Sequence, residues 1–399
     1  MSPQGEGAPV NAAAMSQGAN GAPLRGSAAA TATSAETHRA SGTVMITAGG
    51  TGGHVFPGLA VAAKLVGRGW RVFWLGTRDG MEGALVRGHG VEFEGVAFGG
   101  VRGKGWKTAV FGPLVLLAAC WQSGKIIRRR APDVVLGFGG FASFPGALAG
   151  VALARPLVLH EANAIAGLAN RVLAYVADRI LLGFPDAMRG RHAAKVEWVG
   201  IPVRDAISRL PSPEARFAGR VGPLRLLVVG GSLGAAAINR CVPQALALLP
   251  AANRPQVVHQ SGARHIDALR AAYEQAGVVA QCVPFIEDIA TGYAEADVVL
   301  CRGGAVTVAE LAAAGVASII VPLPGAIADE QSANARLLVD AGAAFAMAQD
   351  ELTASRLAAH LGALTRVQLL AMATAARTLA RIDAADRVAG TCVALGTRG

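Results

Sequence analysis

The chain has 399 residues, 52% of them apolar, with 51 glycines and a formal net charge of +10. Such a length allows two domains with their own buried cores, and the positive excess, none of it from the first 42 residues, calls for an anionic partner: a phosphate, a nucleic acid or an acidic membrane. Five scattered cysteines without a C-x-x-C pair argue against a zinc site and for a reducing compartment, and the longest apolar run, residues 109–121, falls short of the roughly 20 residues that span a bilayer.

Residues 1–42 are rich in Ala, Gly, Ser and Thr and read as a disordered tail without the apolar stretch of a signal peptide. Val44–Ala48 then reads as a buried strand, followed by the loop Gly49-Gly50-Thr51-Gly52-Gly53-His54 and a helix through Val55–Arg68. Strands are expected at Arg71–Leu75, Val91–Val96, Asp133–Phe138, Pro156–His160 (running into "HEAN"), Arg179–Leu182 and Val196–Val199. Residues 209–223 look like a boundary or linker. The rhythm restarts with Leu224–Val229, a second loop Gly230-Gly231-Ser232-Leu233-Gly234 and a helix from Ala236. Gln256–Gln260, Val278–Pro284, Val298–Cys301 and Ser318–Pro322 continue it, and residues 354–395 are helical in character. Strand and helix in alternation mean parallel sheets covered on both faces, an α/β protein of two Rossmann-like halves whose glycine loops face a common cleft.

Each loop places glycines before a helix N-terminus, where backbone N–H groups and the helix dipole favour an anion. A tight turn without a ligand is the alternative. No Gly-Lys-Ser/Thr follows, so neither is a Walker A loop. The G-x-G-x-x-G spacing is also absent, and the strand ending at Leu75-Gly76-Thr77 lacks the acidic residue of a dinucleotide site, which counts against an NAD-dependent oxidoreductase. His54 can act as a base near neutral pH, or merely cap or fill the helix start. Ser232 can offer its hydroxyl to a phosphate. A third strand, Gly-Gly turn and helix spans residues 301–315, and its Glu310 could reach ribose hydroxyls or be a solvated surface charge.

Between residues 95 and 132 stand seven basic side chains and no acidic one: Arg102, Lys104, Lys107, Lys125, Arg128, Arg129 and Arg130. Trp106, Val110, Phe111, Leu114, Leu116, Leu117 and Trp121 lie among them. Apolar side chains rimmed by cations fit a helix lying in an anionic membrane interface, with a core helix bearing a solvated basic end as the alternative. No aromatic-rich recognition module is visible, so nucleic acid is not an expected partner.

The stretches "AGGTGGHVFPGLAVA", "RGKG", "PDVVLGFGG", "LHEANAIAGLANR", "PVR", "VVGGSLGA", "HQSG", "ADVVLCRGGAVTVAELAAAG" and "DEQSANA" resemble, in order, the bacterial N-acetylglucosaminyltransferases that convert lipid I into lipid II for peptidoglycan. The resemblance runs from Thr43 to about Ala344. It implies a GT-B fold: an N-terminal acceptor and membrane domain over 43–204, completed by a C-terminal helix at about 380–399, and a donor domain over 205–379. It implies inverting transfer from UDP-N-acetylglucosamine to the C4 hydroxyl of the muramyl sugar, with no tightly bound cofactor or metal. The location it implies is peripheral, on the cytoplasmic face of the inner membrane, with cell-wall synthesis and division proteins as further partners. A catalytically impaired nucleotide-sugar-binding protein of the same fold is the alternative.

By the same resemblance, His54 and Glu161 are catalytic candidates. Thr51, Gly52, Gly53, Asn163, Arg204, Ser232, Ile286, Ala305, Val306, Thr307, Val308, Ala309, Glu310 and Gln331 are substrate-binding, with Ile286 meeting the uracil through its backbone and the first glycine loop facing the acceptor's diphosphate. His160, Asn170, Asn239, Arg302 and Asn334 also match. Arg102, Lys104, Trp106, Lys107, Phe111, Leu114 and Trp121 make the membrane patch. Five positions depart from the family pattern: Ala162 and Leu233 replace Gln, Ile201 replaces Asn, Phe141 replaces Tyr and Gly303 replaces Ser. Each removes a hydrogen-bonding group from the neighbourhood of the cleft.

Overall fold

The computed structural model describes residues 41–397 except 50–51, 99–104, 189, 191, 232–233 and 326–328. Nearly all of the expected tail therefore lies outside the described residues, as do Thr51, Arg102, Lys104, Ser232 and Leu233; Gly52, Trp106, Lys107 and Phe111 are described as helical backbone only.

The first sheet contains β1 (Thr43–Thr47), β2 (Arg71–Thr77), β3 (Glu92–Val96), β4 (Val134–Gly137), β5 (Leu157–Glu161), β6 (Arg179–Leu182) and β7 (Val196–Trp198). All pairs are parallel, in the order β3-β2-β1-β4-β5-β6-β7. The second contains β8 (Arg225–Val229), β9 (Gln256–Gln260), β10 (Gln281–Val283), β11 (Val298–Cys301), β12 (Ala317–Ile320) and β13 (Ala344–Ala346), again parallel, in the order β10-β9-β8-β11-β12-β13.

The apolar runs follow from burial on both faces. Val44 and Ile46 of β1 point into one core with Val134, Leu136, Val158 and Leu181, whereas Met45 points into the opposite core with Leu75, Val135, Leu157 and Leu159. The second sheet repeats the device, with Leu226 and Val228 on one side and Leu227 on the other. Residues 209–223 are not a free tether. They carry the helix Pro213–Phe217, whose Ser212 cap accepts from the Ala215 N–H, and Phe217 is buried in the second core. Arg216 donates to the carbonyls of Tyr293 (3.0 Å) and Ala314 (2.8 Å).

The chain crosses between the halves twice. After β7 it passes Gly200, and it returns past Arg381 into the helix Ala384–Gly396, which packs on the helix Gly52–Gly67 of the first half. Ala385, Val388, Ala389 and Cys392 join the core of Val44 and Ile46, and Asp386 pairs with Lys64 (3.2 Å) and Arg68 (3.0 Å). The crossings touch: a Cβ on Gly200 would lie 2.3 Å from Cβ of Arg381.

One stretch of the seam between the halves is apolar. Ala162, Phe184, Ile201, Val203 and Ile207 share one buried cluster with Val308, Leu311, Ala312 and Ala313 of the helix Ala305–Ala314. Ala162 and Ile201 are 2% and 3% exposed. At these two positions, where the resemblance implies an amide, the side chain packs in the seam and does not face solvent. At Gly303 a Cβ would come within 2.4 Å of the Gln331 carbonyl oxygen, so this packing leaves no room for a serine.

Candidate active site

The N-terminal side of the site is built where β1, β4 and β5 end. The helix Gly52–Gly67 follows the first glycine loop, so Gly53 and His54 occupy its first turn. A second turn, Gly139-Gly140, closes against it: both have positive φ (79° and 77°), and a Cβ on Gly140 would lie 2.5 Å from the Gly49 carbonyl oxygen and 3.8 Å from His54 Nδ1. Only glycine allows that approach. His54 Nδ1 is buried without a hydrogen-bond partner among the described residues, and burial lowers its pKa. His160, fully buried on β5, donates from Nε2 to the Gly200 carbonyl (2.9 Å), which leaves its Nδ1 unpartnered. Burial depresses its pKa to about 4; the Gly200 bond opposes the shift and nearby His54 adds to it. Thr47 Oγ1 and Asn170 Oδ1 are likewise buried and unpartnered. His54 Nδ1, His160 Nδ1 and Asn170 Oδ1, orphaned among the described residues beside this glycine turn at the carboxyl end of a parallel sheet, make a place where polar ligand groups would be satisfied, whereas Thr47 Oγ1 faces Gly146.

Glu161 ends β5 and is buried, and its carboxylate is occupied by its own loop. Oε1 accepts the Asn163 N–H (2.9 Å), while Oε2 accepts the Gly167 N–H (3.0 Å) and Asn170 Nδ2 (2.9 Å). Burial raises its pKa, and these bonds oppose the rise. Expected as a catalytic group, it stands in the structure as the brace of residues 161–170.

On the opposite side, the helix Ala305–Ala314 starts after Gly303-Gly304, with Ala305 and Val308 buried in the seam and Val306 and Ala309 packed against it. Glu310 is 6% exposed, so the solvated-charge reading fails. Its Oε1 accepts Arg204 Nη2 (2.8 Å) and its Oε2 accepts the Tyr293 hydroxyl (3.2 Å). Burial raises the Glu310 pKa, and the Arg204 charge opposes the rise. The Arg204 guanidinium also lies over the Phe56 ring, 5.2 Å from its centroid, two residues beyond His54. Gln331, in the helix Glu330–Val339, accepts with Oε1 from the N–H groups of Gly303 (3.1 Å) and Leu323 (2.9 Å), fixing the turn before Ala305. Ile286 is half-buried against the seam, in the segment after β10. Gly231 of the second glycine loop is held by Gln260 Nε2 on its carbonyl (3.0 Å). Asn239 and Arg302 serve as internal braces: Asn239 Nδ2 donates to the Ser261 carbonyl (3.0 Å), and Arg302 Nη2 donates to Gln349 Oε1 (2.7 Å).

Tyr293 carries no motif of its own, and nothing in the sequence marks its contact with Glu310. Asn334 was visible as a motif position but not as a bridge: its side chain bonds across the seam to Ala164 and Asn163.

The basic apolar segment is the helix Gly105–Arg130, kinkable at Pro113. Leu114, Leu117 and Trp121 are 61%, 65% and 61% exposed, and Lys125 Nζ lies 3.5 Å from the centroid of the Trp121 ring. Two of the helix's five cations are paired with β3: Arg129 with Glu94 (2.9 Å), and Arg130 with Glu94 (2.9 Å) and Glu92 (2.5 Å), so the free charge is smaller than the sequence count. Among the described residues no helix is long and apolar enough to cross a membrane, and no group of three or more His, Cys, Asp or Glu is placed to hold a metal ion.

The glycosyltransferase family 28 N-terminal domain matches residues 44–182, and the glycosyltransferase family 28 C-terminal domain matches residues 225–388. A protein of Ralstonia nicotianae is 58% identical over 355 residues, covering 88% of this chain and 96% of its own length. A protein of Cupriavidus metallidurans is 56% identical over 350 residues, covering 88% and 97%. Both are named UDP-N-acetylglucosamine–N-acetylmuramyl-(pentapeptide) pyrophosphoryl-undecaprenol N-acetylglucosamine transferase. The crystal structure of Acinetobacter baumannii MurG superposes with a TM-score of 0.74 at 37% identity, covering 88% of this chain and 99% of that one. The calicheamicin glycosyltransferase CalG4, at 17% identity and a TM-score of 0.61, shares the fold.

Proposed function

Since the chain belongs to glycosyltransferase family 28, we propose that it transfers N-acetylglucosamine, with inversion, from UDP-N-acetylglucosamine to the C4 hydroxyl of the muramyl sugar of undecaprenyl-pyrophosphoryl-N-acetylmuramyl-pentapeptide. The observation that carries this reading is the 58% identity, over 88% of this chain and 96% of the other, to a protein bearing that name. The geometry supports it by setting His54 and its orphaned neighbours against the Arg204–Glu310 pair across one seam.

In this reading His54 takes the proton of the acceptor hydroxyl. Its lowered pKa keeps the imidazole neutral at pH 7, the form that can accept one. The hydroxyl oxygen attacks C1 of the sugar from the face opposite the diphosphate. The bond from C1 to the β-phosphate oxygen breaks, and UDP leaves with the electron pair. The N-terminus of the helix Ala305–Ala314 and the second glycine loop, with Ser232, meet the donor's negative charge. Glu310 holds the ribose, Ile286 the uracil, and Gln331 and Arg204 shape the pocket. Glu161 positions the acceptor loop. The exposed apolar face around Leu114, Leu117 and Trp121 rests on the anionic cytoplasmic leaflet, where the acceptor resides.

The test is transfer of labelled N-acetylglucosamine from its UDP ester to a short-chain analogue of the lipid acceptor. A β-1,4-linked disaccharide product is expected. UDP binding without any transfer would favour the impaired nucleotide-sugar-binding protein instead.

A further inference from the structure

The end of β9 meets the second glycine loop at two points. Gln260 Nε2 donates to the Gly231 carbonyl (3.0 Å). The Ser261 carbonyl oxygen lies so close to Gly234 that a Cβ there would come within 2.0 Å of it. Both glycines have positive φ (83° and 77°), and the Gly234 N–H donates to the Gly231 carbonyl (3.0 Å). The loop therefore rests on Ser261 and can come no nearer to β9 unless Ser261 moves. Ser261 is held from both sides: its N–H donates to the Val283 carbonyl of β10 (3.0 Å), and its carbonyl accepts Asn239 Nδ2 (3.0 Å). With its amide nitrogen so committed, Asn239 presents Oδ1, an acceptor, to His259 Nε2 (3.1 Å). This arrangement assigns the His259 proton to Nε2 and leaves Nδ1 to accept the Tyr273 hydroxyl (2.9 Å). Burial keeps the ring neutral, with its pKa pushed down to about 3.

A buried line of hydrogen bonds thus runs from Tyr273 in the helix Ile266–Gln275, through His259 on β9, to Asn239 in the helix that the glycine loop opens, and ends on the carbonyl against which Gly234 packs. His259 is 0% exposed and has both ring nitrogens engaged, so it has no reach to a ligand. We propose, on the reading that the second glycine loop meets the donor's diphosphate, that His259 is a positioning residue: it fixes Asn239 and Ser261, and through them the place at which the loop presents its backbone to the phosphates. Anion recognition by backbone N–H groups depends on where those groups point, so a displaced loop weakens the hold on phosphate. Uracil and ribose, met by Ile286 and Glu310 in the same reading, are not touched by that displacement. An apolar side chain in place of His259 would leave Asn239 Oδ1 and the Tyr273 hydroxyl buried without partners, and the Asn239 amide would lose the bond that orients it.

The experiment measures, in the full chain, the Kd for UDP by calorimetry and the Kd for uridine by displacement of UDP. His259→Leu is expected to weaken UDP about tenfold and uridine by no more than about twofold. His259→Gln, whose amide can donate to Asn239 Oδ1, should recover most of the UDP affinity. Tyr273→Phe removes only the far end of the line and should weaken UDP about threefold, again sparing uridine; it carries the test should His259→Leu not fold. A smaller folded fraction weakens both ligands by one factor, so the ratio of the two affinities does not respond to lost stability alone. Equal weakening of both ligands, an unchanged UDP affinity, or a His259→Gln variant no better than His259→Leu would overturn the proposal. In the native chain, UDP bound no more tightly than uridine would take the diphosphate away from the second glycine loop, and the donor-site reading would fall together with the role of His259. A native preference for UDP that survives in the variants overturns the role of His259 alone.

Discussion

Arg204 and Glu310, 106 positions apart in the sequence, meet at 2.8 Å, Nη2 to Oε1. Arg204 sits on the crossing between the halves and is 36% exposed, whereas Glu310 is 7% exposed in the donor-side helix. The pair therefore joins a partly exposed guanidinium, whose Nε is buried, to a buried carboxylate, and burial has already made that carboxylate harder to ionise. UDP binding that depends on ionised Glu310 should weaken as pH falls, starting above the usual carboxylate range near 4.5. Glu310→Gln keeps a partner for the Tyr293 hydroxyl and removes the charge. It should lower UDP affinity about tenfold and flatten that acid limb. Calorimetry between pH 5 and 8 checks both, and an acid limb that persists in the variant would assign it to another group.

His54→Ala should leave UDP binding near normal and lower kcat roughly 10²–10⁴-fold, the usual cost of a lost general base. Because the His54 pKa is lowered, the imidazole is neutral above 6.5, and the acid limb of kcat should fall below that value. Steady-state kinetics with an acceptor analogue, beside a UDP titration, separates base from binder. Loss of UDP affinity with kcat preserved would reverse the assignment of the two sides.

His160 makes acid stability a readout of the same region. Its pKa is near 4 in the fold against 6.5 unfolded, so the unfolded chain takes up the proton first. The stabilisation is complete above pH 6.5 and is lost as pH falls toward 4, about 3 kcal/mol in all. His259, held at about 3 by burial, acts in the same sense. His160→Gln should therefore reduce the fall in stability between pH 6.5 and 4 by up to one proton's share, leaving those of His54, His259 and His360, whose pKa values burial also lowers. Urea unfolding at pH 7, 6 and 5 measures it, and parallel curves for the two proteins would refute it.

Ile201→Asn places an amide at a position that is 3% exposed and surrounded by hydrocarbon. An amide without a partner in the seam should cost about 1–3 kcal/mol. A lowered thermal midpoint with unchanged UDP affinity is expected. Tighter UDP binding instead would mean that the position faces the donor.

Leu114 and Leu117 test the membrane face. If both enter the interface they contribute about 2 kcal/mol, or roughly 30-fold in partitioning. Leu114→Ser combined with Leu117→Ser should weaken binding to vesicles of anionic phospholipid by about that factor and leave turnover of a water-soluble acceptor alone. Unchanged sedimentation with vesicles would remove this helix from the membrane.

Much of the fold is legible in the chain because both faces of each sheet are buried, so a strand such as Val298–Cys301 is apolar throughout. β13, three residues of Ala-Phe-Ala, is too short to announce itself. The run at 278–284 looked longer than β10 because Val279, apolar but 95% exposed, extends the pattern without extending the strand. At the site, the glycine loops, His54 and Glu310 stand out by position after strands. What remained hidden lies in contacts between distant segments. Glu310 reads as solvated until Arg204 and Tyr293 are brought to it, Ala162 and Ile201 read as lost ligand groups until the seam closes over them, and the basic cluster reads as fully charged until β3 brings Glu94 beside Arg129 and Arg130.

The contact of Gly200 with Arg381 has a kinematic consequence. Two bodies joined by one strand of chain can twist, bend and drift. Joined by two strands far apart, they can only fold along the line between the anchors. Here the anchors coincide, and the Arg381 guanidinium is stacked 3.9 Å over Trp198 beside them. Both covalent links therefore meet the seam at one place, so any rotation of one half against the other that leaves this contact intact has its axis there.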